Sequence, residues 1–190
     1  MTHALDYPSS AKSSVATLWH YNALLLDQAI GMIDLLLTQA HSDFVYGKAV
    51  GPHLRHIVEH YQALLNALAV PGASVDYDAR ERDRGMQSHP PMTLSALRHV
   101  IGQLDIHAQD AKLVLSTPLL THLQTGVCGE LEATVPTTLG RELLFLASHT
   151  VHHYALLGQY CRDAGVELGH DFGKAPSTIA FERSSPSVNA

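Results

Sequence analysis

The residues of this chain that could do chemistry are histidines, 14 of them against 12 lysines and arginines together. Three stand in Ser148-His149-Thr150-Val151-His152-His153-Tyr154, inside a long run of helical periodicity. At about 100° per residue, His149 and His153 lie roughly 40° apart on one face with Leu146, Leu156 and Tyr160, while Val151 points the opposite way. Burying imidazoles without partners is costly, and histidines one turn apart can chelate a single divalent ion. A second group lies in Pro52-His53-Leu54-Arg55-His56-Ile57-Val58-Glu59-His60. There His53, His56 and His60 fall within roughly 60° of one another, beside Ile57, Leu64 and Leu68. Singly, each reads as a solvated or structural histidine. Alongside His149 and His153 they become candidates for a third ligand, and spacing permits more than one of them. Three imidazoles plus water leave an open coordination position, the arrangement of catalytic rather than structural zinc.

Four helices must position these residues. The first runs over 14–39, with an apolar stripe of Leu18, Tyr21, Leu25, Ala29, Met32 and Leu36. Leu24, Leu26, Leu35 and Leu37 widen that stripe enough to predict a second buried face and a two-fold dimer. Pro52 suits the first turn of a second helix, over about 52–70. Pro71-Gly72 ends it, and some 20 residues follow in which an arginine such as Arg80 could meet an anionic substrate group. Ser88-His89-Pro90-Pro91 argues against regular helix there, and Thr93 is the expected cap of a third helix. Gly126 and Gly129 among β-prone residues predict a small hairpin or extended excursion over 119–135. A fourth helix starts after Thr137 and Thr138 and ends near Gly165. The expected class is all-α, a four-helix bundle with that excursion between its third and fourth helices. It forms one domain over 1–190, with a polar arm at 1–13 and an extended tail at 166–190.

Composition narrows the function. Net charge −6 without a basic tract speaks against nucleic acid, and no apolar run reaches the length of a membrane span. Cys128 and Cys161 make no disulfide framework, so a reducing cytoplasm is the expected setting. His20 reads as solvated, and His99 and His107 lie off the core-facing stripe of their helix.

Gly51-x-His53-x-Arg55-His56-x-x-Glu59-His60 resembles the DinB/YfiT superfamily of metal-dependent enzymes, as does Arg141-Glu142-Leu143 leading into Ser148 to His153. The order of helices, long loop and terminal helix agrees over most of the chain. The resemblance implies an up-down-down-up bundle and a divalent ion, zinc or nickel, on His56, His149 and His153. It leaves His60 and His53 beside the open position. It also implies a homodimer acting on a small molecule, as a hydrolase or as an S-transferase using a low-molecular-weight thiol. The superfamily's compact His-x-x-His-His-x-Gly-Gln is stretched here, with Tyr154 to Leu157 standing before Gly158-Gln159. The competing expectation is a metal-binding or stress-related scaffold without turnover.

Overall fold

The computed structural model describes residues 14–79 and 81–184. Helix α1, Val15–Gln39, is capped by Ser14, whose hydroxyl accepts the Thr17 N–H at 3.1 Å. Its broad apolar arc is used within the chain, because α1 packs against both α5 (Pro90–Ala108) and α6 (Leu139–Asp163). Helix α3, Gly51–Ala69, packs against the same two from the other side. One core results, with Trp19, Leu26, Ile33, Leu54, Leu64, Leu97 and Leu146 fully buried. A polar tie runs through it. Asn22 of α1 donates to the carbonyls of Leu18 and Leu143 (2.8 and 3.2 Å) and accepts the Tyr61 hydroxyl at 2.7 Å. Each buried polar group there is matched, so α1, α3 and α6 are held in one register.

The all-α four-helix-bundle class is corrected by a three-stranded mixed sheet and by three further helices. The stretch over 119–135 is a hairpin of β2 (Pro118–Thr125) and β3 (Leu131–Thr138), paired antiparallel from Pro118↔Thr138 to Thr125↔Leu131. It recruits β1 (Ser74–Asp76) from the long loop, parallel to β2 with Val75 opposite Thr121. Three residues carry too little periodicity to be read as a strand, and the pairing is 46 residues away in sequence. Helices α2 (Tyr46–Ala49) and α4 (Arg84–Ser88) are single turns inside the expected loops. Pro90-Pro91 opens α5 rather than forbidding helix, since prolines in the first turn lose no hydrogen bond. Thr93 is therefore inside α5, its hydroxyl donating to the Met86 carbonyl at 2.6 Å.

The tail is not wholly extended. It crosses α6 and contains α7, Pro176–Ser184. At the crossing Phe172 stacks on Tyr154, with centroids 4.8 Å apart. Gly173 follows at φ +74°, where an added Cβ would stand 2.7 Å from the Tyr154 carbonyl oxygen. Gly173→Ala is expected to cost roughly 1–3 kcal/mol through strain and clash, read as a lower urea midpoint with an unchanged slope.

Candidate metal centre

The α3–α6 contact brings five histidines into one continuous cluster. His56 Nε2 lies 2.9 Å from His149 Nε2, so a proton on one is shared with the lone pair of the other. His60 Nδ1 lies 2.8 Å from the carbonyl oxygen of His56, one turn back. A carbonyl only accepts, so Nδ1 carries the hydrogen and Nε2 is the nitrogen with a lone pair to offer an ion. One nitrogen from each of His56, His60 and His149 falls within 4.8 Å of the others, a set able to hold a metal ion. Beside it His53 Nδ1 faces His153 Nδ1 at 2.9 Å. The His153 ring is 4.8 Å from that of His56 and 4.6 Å from that of His149, centroid to centroid.

Of the expected ligands His56, His149 and His153, the structure thus brings all three rings into contact. The nitrogen closest to completing a triangle with the first two belongs to His60, and His153 is turned towards His53. Arg80 lies outside the described residues. His20 and His99 are exposed and away from the cluster, and His107 stacks on Trp19 at 5.4 Å. Gln159 is bonded to Asp163 and Arg162 on the exposed face of α6, which separates it from the site.

Two wall residues, Tyr77 and Phe145, escaped the sequence reading, and a third, Glu142, entered it only as part of the Arg141-Glu142-Leu143 motif. Tyr77, just after β1, stacks face-on against His60, 5.1 Å and 15°. Phe145 stacks on His149, 5.5 Å and 21°, and stands 5.1 Å from Tyr77. Glu142, fully buried in the first turn of α6, accepts the Tyr77 hydroxyl at 2.6 Å. It also accepts Thr137 Oγ1 at 2.6 Å and Arg141 Nη1 at 2.9 Å. Phe145 was legible, lying four residues before His149 on one helix face. Tyr77 was not, because only tertiary packing brings its loop to His60.

The fit to a divalent ion is good in donor type. Tetrahedral zinc with nitrogens at about 2.0–2.1 Å needs roughly 3.3 Å between them, so His56 and His149 must part by a few tenths of an ångström. The His60–carbonyl bond fixes ring orientation in the way ligating imidazoles require. The other half of the cluster is kept neutral. Burial, then the neighbouring His149, His53 and His152 rings, hold His153 down to about 4, and burial lowers His53.

A pH dependence follows for the metal-free protein. The folded pKa of His153 is depressed, so between about pH 6.5 and 4 the unfolded chain binds a proton that the folded chain refuses. Stability is therefore present above that window and lost as pH falls through it, on the order of 1–2 kcal/mol by pH 5 after allowing for partial solvation. Urea melts at pH 7.5 and 5 read the difference, and His153→Gln should reduce it. An identical pH response in that variant would remove His153 as the cause.

Neither cysteine competes for the role of nucleophile at this centre. Cys161 is buried and its thiol is pushed up to about 11, and Cys128 is exposed on the hairpin turn.

No family model matches the chain, and no solved structure matches it. The chain is similar to FK506-binding protein 5 of Rhizopus delemar, 26% identical over 155 residues, which is 82% of this chain and 35% of that protein. It thus spans about a third of the length of the relative it matches. The four-helix bundle implied by the DinB/YfiT resemblance is replaced by the mixed architecture above.

Proposed function

We propose that the protein is a metal-dependent enzyme with one divalent ion, zinc or nickel, held by His56, His60 and His149. The observation that carries this reading is the convergence of three ring nitrogens from two helices within 4.8 Å. Imidazole suits both metals. Three neutral ligands leave the ion's charge uncompensated, which favours an anion or a thiol in the open position. An ion held there lowers the pKa of a water or thiol placed beside it.

The chain's own residues supply the rest. The His60–carbonyl bond and the Tyr77 and Phe145 stacks fix two ligand rings. His53 and His153, neutral and paired, stand beside the open position as proton acceptors for an incoming water or thiol. This supports a hydrolase or thiol-dependent transferase acting on a small molecule. The two unpaired thiols support a reducing, cytoplasmic setting. Among the described residues no helix is long and apolar enough to cross a membrane. Self-association through outward residues of α1 such as Leu37, 58% exposed, belongs to the same reading. The Rhizopus protein's FK506 ligand is not carried over, because the matched segment is a minor part of that protein.

The test is metal analysis of protein purified without a histidine tag or chelating resin, with His60→Ala and His153→Ala in parallel. We expect about one ion per chain, lost in His60→Ala and kept in His153→Ala. Loss in His153→Ala with retention in His60→Ala would transfer the third ligand to His153. A loaded wild type that binds no exogenous anion or thiol would favour the scaffold without turnover.

A further inference from the structure

We propose that the outer flank of α6 binds an apolar carboxylate, a fatty-acid-like anion with its head group on Arg141. Helix α6 carries two stripes. Glu142, Phe145, His149 and His153 face the histidine cluster. Arg141, Leu144, Ser148, Val151 and Ala155 lie some 60–180° further round from His149 and border two adjoining clefts. One, of about 630 Å³, runs between Leu18 of α1 and Phe145, with Arg141 on its lining. The other, of about 550 Å³, runs between Tyr21 and the crossing tail at Ala175 and Pro176. They meet at Leu144 and Ser148, which line both, and Leu144 is 56% exposed there.

The character of Arg141 chooses the occupant. Its guanidinium lies 5.0 Å over the Phe145 ring and gives Nη1 to Glu142. Glu142 already receives Tyr77 and Thr137, and the arginine stays 57% exposed. Among the described residues its remaining N–H groups meet no acceptor. A planar cation stacked at one end of an apolar groove matches a carboxylate, which can pair with it through two bonds. From Arg141 to Ala155 the helix rises roughly 21 Å, enough for an acyl chain laid along Leu144 and Val151. The net charge of −6 gives the chain no general attraction for anions, and the proposed ion, the other anion-binding position, is removed by His56→Ala.

This site does not depend on the metal reading, and the experiment keeps them apart. Decanoate and its neutral methyl ester, below micellar concentration, are titrated calorimetrically into wild type, Arg141→Gln, Val151→Asp and His56→Ala. We expect saturable decanoate binding at least tenfold tighter than the ester. That preference should vanish in Arg141→Gln, decanoate binding should weaken in Val151→Asp, which leaves the Glu142 contact intact, and His56→Ala should bind as wild type does. Equal affinity for acid and ester, no saturation, or an unaltered preference in Arg141→Gln would overturn the proposal. So would a dimer, seen by sedimentation, that Val151→Asp dissociates and decanoate does not, because the groove would then belong to a second copy.

Discussion

Replacing His149 with alanine is expected to abolish tight metal binding, lowering affinity by more than roughly 100-fold. Loss of a mere hydrogen-bond partner of a ligand costs about 10–100-fold, and His149 is a proposed ligand itself. Its Nε2 is 2.9 Å from that of His56, and it is the only member of the three-nitrogen set contributed by α6. Without it, His56 and His60 remain as an adjacent pair on one helix, with no second element to close the site. His56→Ala should fail equally. His99→Ala, on the exposed face of α5, should retain the ion. Competitive titration against a chromophoric chelator measures all three. Retention of wild-type affinity in both His56→Ala and His149→Ala would dismantle the proposed centre.

The second large effect is expected at Glu142, which is not among the proposed ligands. Its carboxylate gathers Tyr77 from the long loop, Thr137 from the end of β3 and Arg141 from its own helix. Glu142→Ala strands the hydroxyl of Tyr77, a residue 4% exposed, at a cost of about 2–4 kcal/mol for the buried groups left unmatched. The effect should also reach the metal. Tyr77 holds the His60 ring by stacking, so a loosened Tyr77 should weaken metal binding by about 10–100-fold. Tyr77→Phe, which keeps the ring, should lose stability with a much smaller change in affinity. Urea unfolding and metal titration on the same preparations separate the two. Unchanged metal affinity in Glu142→Ala would show that His60 does not depend on this brace.

How much of this was legible in the sequence varies by element. The long helices were, because their apolar stripes are sustained over five to seven turns. Of the two threonines expected before α6 Thr138 is the cap, and Gly165 at φ +77° ends that helix, whereas Thr93 falls inside α5 instead of capping it. The histidines were legible as two helix faces, since spacing alone fixes which rings share a side. Spacing could not fix the third ligand, because His53, His56 and His60 share one face and the choice depends on how α3 is set against α6. The class was misread for a comparable reason. β1 is three residues long, and its partner β2 lies beyond α5, so no local pattern announces the sheet. Pro90-Pro91 was read as a breaker where it is a beginning, since the same residues serve both and only the hydrogen bonds upstream decide. Part of the apolar width of α1 is taken up within the chain, where α1 packs against both α5 and α6.

The central claim is that α3 and α6 together hold one divalent ion through imidazole nitrogens with a position left open. X-ray absorption at the zinc edge, on protein loaded with one equivalent, tests it most directly. The account predicts three nitrogen scatterers at about 2.0–2.1 Å with the outer-shell signature of imidazole, plus one light atom exchangeable for a thiol sulfur at about 2.3 Å. A first shell of oxygens without the imidazole signature, or one already containing sulfur before thiol is added, would contradict it.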